Sequence, residues 1–250
     1  MNFNLDFLRF RFIALVMSGS FIAVSLATIS IQQLQLGLDF TGGTLVEVGF
    51  TETVDPEEIR AYLEGKQIDA LVQAFGSDKD LLIKIPSSEN IENANIVIDS
   101  LQQQYSFQLR RSGFVGPQVG DELRDQGGLG LLAALLVMMV YIMFRFQYKF
   151  AIGAVVALFH DVLIVLGIFS ILRLEFDLSV LAALMAVIGY SLNDTIVVSD
   201  RIRENFRAKR KLNSEQVINR SLNNTLGRTL ITSLTTLLVL FSLLFLGGEI

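Results

Sequence analysis

Apolar residues fall into five long blocks, and between the first and the second the pattern breaks into short alternating runs. Residues 12–31 and 126–144 carry no charge, 150–172 is interrupted only by His160 and Asp161, 178–199 only by Asp194, and 229–248 is again uncharged. A bilayer core of about 30 Å needs roughly 20 helical residues. The pattern therefore predicts membrane helices at 12–31, 127–144, 150–172, 178–199 and 225–246. Residues 32–126 read differently. Residues 44–50 suggest a strand, and Asp55-Pro56-Glu57-Glu58 opens a helix with Asp as cap and Pro in the first turn. Residues 68–75 and 81–85 are short apolar runs around a Gly76-Ser77-Asp78 turn. Residues 91–105 predict a second helix and 106–115 a last strand. The order β-α-β-β-α-β predicts a ferredoxin-like unit with helices on one side of a sheet. The expected fold class is thus a polytopic α-helical membrane protein carrying an α+β, ferredoxin-like domain outside the cytoplasm.

Composition supports this division. The 250 residues are 52% hydrophobic and 18% charged, with a mean hydropathy of +0.52, too apolar for an ordinary soluble domain. Arg9 and Arg11 precede the first block as in a signal peptide. Its apolar stretch exceeds the roughly 7 to 15 residues of a signal core, and no cleavage site stands out, so it reads as a retained helix. Cysteine is absent, which excludes disulfides, thiolate nucleophiles and Cys-ligated metals.

Basic residues set the orientation. Arg9 and Arg11, then Arg145 and Lys149, then Arg201, Arg203, Arg207, Lys209, Arg210 and Lys211 in the loop 200–224 share one side if the chain crosses five times. By the positive-inside rule that side is the cytoplasm, where residues 1–11 also lie. The segment 32–126 has seven Lys or Arg against sixteen Asp or Glu, a formal charge of −9, which speaks against nucleic acid as a partner. The basic run from Arg207 to Lys211 is suited to anionic lipids.

Charged groups inside the apolar blocks are the candidate chemistry. An ionised side chain at mid-bilayer costs at least about 2.5 to 3.5 kcal/mol on insertion scales and seeks a partner or water. Asp194 is surrounded in sequence by Ser191, Asn193 and Thr195, and the fifth block opens with Asn223, Asn224 and Arg228 and continues through Thr232, Ser233, Thr235 and Thr236. Two polar helices suggest a seam with Asp194 and Arg228 as opposite charges across it. Both are close enough to the cytoplasmic side to snorkel, so a structural ion pair and a functional one remain alternatives. His160 and Asp161 lie near the middle of the third block, where snorkelling is hardest, and adjacent His and Asp suit proton handling. One His without Cys predicts no metal site, and no cofactor is expected. The glycines of 37–43 and 116–120 lack the endings of phosphate loops. Gly37, Gly42, Gly43 and Gly116 instead suggest turns where the domain joins the membrane helices.

Three stretches resemble the signature blocks of the SecD/SecF family of bacterial protein-export membrane proteins, a resemblance that runs over essentially the whole chain. They are Gly37-Leu38-Asp39-Phe40-Thr41-Gly42-Gly43, the block 188–205 around Asn193-Asp194-Thr195, and Ser221-Leu222-Asn223-Asn224-Thr225-Leu226-Gly227-Arg228-Thr229 with Thr232 to Thr236. The second is specific to the SecF branch, whereas the first would also suit SecD. The resemblance implies six membrane helices of a type shared with proton-driven RND efflux pumps. It makes 32–126 periplasmic and puts 247–250 at the periplasmic end, where the expected sixth helix is absent because the sequence stops at Ile250. The implied location is the bacterial inner membrane. The implied partners are SecD, a translocon of SecY, SecE and SecG, YajC and unfolded preprotein. The implied work is use of the proton motive force to promote late, periplasmic-side steps of export, with Asp194 and Arg228 taking part in proton passage and His160 and Asp161 as secondary candidates. The alternative is a non-energised membrane scaffold that assembles translocase partners. A solute transporter would need an internal repeat, and an enzyme would need a nucleophile with its base or paired carboxylates. The sequence offers neither.

Overall fold

The computed structural model describes residues 5–75, 77–86, 92–145, 148–208 and 212–246. The expected turn residue Gly76, the helix start at Ile91, the basic residues Lys209, Arg210 and Lys211 and the end at 247–250 lie outside them. Packing divides the chain into two units. One holds Gln35–Leu131 with Glu175–Leu181, and the other the remaining helices.

The soluble unit begins with strand β1 (Gln35–Leu36) and the single turn α2 (Leu38–Thr41), followed by β2 (Gly43–Phe50), α3 (Pro56–Gly65), β3 (Leu71–Phe75), β4 (Ser77–Pro86), α4 (Glu92–Gln102) and β5 (Phe107–Val115). The sheet runs β3-β4-β2-β5, and its pairings are all antiparallel. This is the ferredoxin-like order. In β2 the alternating Val46 and Val48 are fully buried, as period-two patterning requires. Helix α3 buries Ile59 and Leu63, four apart, and α4 buries Ala94, Val97 and Leu101. Asp55 caps α3 by accepting from the Glu57 amide at 2.9 Å, with Pro56 in the first turn. Tyr62 donates to the Ser100 carbonyl at 2.8 Å and so ties α3 to α4. Burial, with a hydrogen bond to Glu58, raises the pKa of Tyr105 above its usual value.

The helical unit contains α1 (Arg11–Gln32), α6 (Tyr148–Leu172) and α8 (Ser214–Leu246), together with most of α7 (Leu178–Ala208) and the later part of α5 (Pro117–Arg145). All five helices are long and apolar enough to cross a membrane. Helices α1 and α6 approach closely because Gly167 faces Ser25; a Cβ on Gly167 would lie 2.1 Å from the Ser25 hydroxyl oxygen. The α6 stripe Ala151, Ala154, Leu158 and Val162 and the α7 stripe Leu184, Ile188 and Leu192 are buried.

Three helices extend past the apolar blocks, α8 among them, since it starts at Ser214. Helix α5 starts at Pro117, ten residues before the expected span at 127, and α7 runs on to Ala208. Much of the expected basic loop 200–224 is therefore helical. An Arg201–Glu204 ion pair, three apart, supports the end of α7. Asn213 and Gln216 then form a reciprocal cap that starts α8, the Gln216 amide donating to Asn213 Oδ1 at 2.8 Å and the Asn213 amide to Gln216 Oε1 at 3.3 Å.

Candidate intramembrane site

The third and fourth membrane helices meet through a carboxylate. On α6, Asp161 Oδ1 lies 2.9 Å from His160 Nδ1. From α7, the Ser191 hydroxyl donates to Asp161 Oδ2 at 2.6 Å. Both carboxylate oxygens are thus engaged, one by an imidazole and one by a hydroxyl from a different helix. The side chains of His160 and Asp161 are 28% and 36% exposed, so the group is half-buried. Its one hydroxyl can both donate and accept, and its imidazole nitrogen can do either according to tautomer.

Asp194 lies three residues beyond Ser191 on α7, one turn nearer the cytoplasmic end and on the same helix face. It is half-buried, and among the described residues it has neither an ion pair nor a side-chain hydrogen bond. Arg228 is exposed and forms no ion pair with it. Instead Arg228 borders a recess of about 310 Å³ with Arg145, Asp200, Arg201, Glu204 and Asn224, which Asp194 does not line. The structure thus brings His160, Asp161 and Ser191 together and leaves Asp194 and Arg228 apart.

The expected polar seam is only partly made. Asn193 is exposed and Thr195 half-buried. Asn223 holds the N-terminal segment, accepting from the Leu5 amide and donating to the Leu5 carbonyl, both at 2.8 Å. Asn224, with its amide oxygen and nitrogen interchanged, accepts from Arg201 Nε and Nη2 at 3.3 Å. Thr232, Thr235 and Thr236 donate to carbonyls three and four residues back in their own helix, which satisfies them without a second helix. The fully buried α7–α8 link lies elsewhere: Asn205 Nδ2 donates to Ser221 Oγ at 2.9 Å, and Ser221 donates to the Val217 carbonyl at 2.7 Å. Sequence reasoning missed this pair because Asn205 sits beyond the apolar block.

Within the soluble unit, the glycine-rich segment builds the joint. The two-residue strand β6 (Glu175–Phe176) pairs in parallel with β1, and the Gly37 amide donates to the Phe176 carbonyl at 2.8 Å. Phe40 stacks on Phe176 with centroids 6.0 Å apart, and Lys84 of β4 pairs with Glu175. Asp39 Oδ2 accepts from the Leu178 amide at 3.1 Å and Asp177 Oδ1 from the Val180 amide at 2.8 Å, so two carboxylates cap α7. Gly42 and Gly43 have φ of +70° and +140°, whereas Gly116 is free of such constraint.

The sequence profile described as protein export membrane protein SecD/SecF, C-terminal, matches residues 96–250, and the SecD/SecF GG motif matches residues 28–54. The chain is 46% identical to the protein translocase subunit SecF of Vibrio alginolyticus over 251 residues, covering 98% of this chain and 80% of that one. It is likewise 46% identical to that of Pseudomonas aeruginosa, covering 98% and 81%. Among solved structures it resembles SecDF from Thermus thermophilus, a translocon-associated membrane protein, with a TM-score of 0.90 at 35% identity. SecDF in its super-membrane-facing form gives 0.72 at 35% identity. The chain is 99% covered in both, but spans only 34% and 35% of the length of those SecDF chains. It is a transport subunit rather than an enzyme, a multi-pass protein of the bacterial inner membrane with a cytoplasmic N-terminus and a periplasmic soluble domain. The chain thus belongs to the SecD/SecF family of protein-export membrane proteins, as a SecF-type accessory subunit of the Sec translocase.

Proposed function

We propose that this subunit, working with SecD, uses the proton motive force to promote late, periplasmic-side steps of preprotein export, and that Asp194 binds and releases the proton. The observation that carries this reading is the state of Asp194, a half-buried carboxylate in the apolar part of α7 with no ion-pair or side-chain hydrogen-bond partner among the described residues. A carboxylate held for structure alone would be expected to be paired. Ionised, Asp194 attracts Arg228 on α8; protonated, it releases it, and the separation of the two charges is the arrangement expected of the released state. One proton crossing the membrane supplies about 2.3 kcal/mol per 100 mV, enough to bias two packings of a helix pair. SecY, SecE and SecG of the translocon, YajC and the unfolded preprotein complete the working assembly. Anionic lipids meet the basic end of α7 around Arg207.

Asp194→Asn tests this in the full complex, assayed as proton-gradient-dependent export into inverted membrane vesicles. Stimulation is lost while abundance and assembly are kept. Normal stimulation would sink the reading. In the rival scaffold, the variant loses assembly first and the double change Asp194→Arg with Arg228→Asp restores export.

A further inference from the structure

The hydrogen bond from Ser191 to Asp161 has no part in the Asp194–Arg228 reading, yet it joins α6 and α7 at mid-membrane. We propose that His160, Asp161 and Ser191 form a second proton-binding station upstream of Asp194, with the Ser191 hydroxyl as the link that passes the proton from α6 to α7. This rests on the reading of Asp194 as the proton carrier.

Four observations support it. Both oxygens of Asp161 are engaged, by His160 Nδ1 at 2.9 Å and by the Ser191 hydroxyl at 2.6 Å, so the carboxylate is held in place with one oxygen on a hydroxyl of α7. With the N-terminus in the cytoplasm, α7 runs from the periplasmic side inward. Ser191 therefore lies outward of Asp194 by three residues, about 4.5 Å along the axis, which is the correct order for a proton entering from the periplasm. Side chains three apart on a helix are neighbours, within reach of one bridging water. The surroundings also supply no competing ion within the apolar blocks. Between residues 12 and 32 α1 has no ionisable group, nor has α5 between 126 and 140; Tyr141 follows in α5 and Tyr190 in α7. The remaining charged groups there are Asp194 on α7 and Arg228 on α8.

The transfer balances simply. A proton arriving by water from the periplasmic side neutralises the Asp161 carboxylate, whose new O–H turns to Ser191. The serine oxygen accepts that hydrogen and gives its own, through the bridging water, to the Asp194 carboxylate. Asp161 is left ionised, Asp194 neutral and Ser191 unchanged, and one proton has moved. His160 shares the first oxygen of Asp161 and holds the carboxylate in position; it is a positioning residue.

The test compares Asp161→Asn, Ser191→Ala, Ser191→Thr and Asp194→Asn in the full complex, measuring abundance and proton-gradient-stimulated export across a series of lumenal pH values in inverted vesicles. Asp161→Asn and Ser191→Ala lose about tenfold or more of the stimulation at normal abundance. Ser191→Thr keeps the hydroxyl and stays within about twofold of the parent, with the same pH profile. If Asp194→Asn is inactive while Asp161→Asn and Ser191→Ala are stimulated normally, the station is overturned and Asp194 stands. Normal stimulation in Asp194→Asn overturns the Asp194 reading and the station with it. If abundance falls with stimulation at every pH and Ser191→Thr fails like Ser191→Ala, the hydroxyl serves packing and the station is overturned.

Discussion

Gly43 opens β2 at a φ of +140°, and a Cβ placed there would lie 2.4 Å from the Ile85 carbonyl oxygen on β4. Gly42 beside it has a φ of +70°, and a Cβ there would lie 2.8 Å from Pro117 Cα. Both constraints come from backbone atoms, which cannot move aside as a flexible side chain can. Gly43→Ala should therefore cost about 1 to 3 kcal/mol in strained backbone, read as a lower midpoint in thermal unfolding of the detergent-solubilised full chain. Gly116→Ala is the contrast. Its Cβ would meet only the Phe114 ring, at 3.8 Å, and the change should stay within about 0.5 kcal/mol. The sequence grouped these glycines together because it shows residue type and neighbourhood but not φ. The same limit hid Asp39, which looks in sequence like one more polar turn residue. Its task depends on Leu178, 139 positions away.

Among the elements, those with a hydrophobic period were legible. Strand β2 alternates, α3 and α4 repeat at three and four, and the five apolar blocks are long, so each could be read from the apolar pattern alone. Strands β1 and β6 have two residues each, too few to show any period, and they form because the chain after Leu174 returns to Gln35. Their pairing puts Asp39 beside the first turn of α7. The end of α7 and the start of α8 were hidden for a different reason: residues 200–208 are polar, and the helix there is held by the Arg201–Glu204 ion pair and by the buried Asn205–Ser221 bond. Asp39→Ala removes the acceptor of the Leu178 amide and costs about 1 kcal/mol locally. Hydrogen exchange of the Leu178 amide should then quicken about fivefold. The Val180 amide, which Asp177 holds independently, should change far less.

At the scale of the whole molecule, a polar stripe on a membrane helix did not identify its partner. Thr232, Thr235 and Thr236 gave α8 the look of a seam, but their hydroxyls return to their own backbone. His160 and Asp161 were legible as unusual residues, since apolar surroundings make any ionisable pair conspicuous. That Asp161 would meet Ser191 was not legible, because it depends on the rotation of α6 against α7, which apolar blocks of even composition leave unspecified. The resulting order of groups has an energetic consequence. If Asp161 and Asp194 act in series, they carry the same proton, and each transition moves one charge through the membrane field. One charge changes the ratio of two states by about 50-fold per 100 mV, whereas two protons bound independently would change it by about 2,500-fold. Export into inverted vesicles, followed against an imposed potential below saturation, should therefore show the shallower dependence. Asp194→Asn should flatten it. In Asp161→Asn the one-charge steepness should persist at reduced amplitude, because the proton's destination is unchanged and only its supply is slowed; a steeper curve in the parent would mean that the two carboxylates load separately.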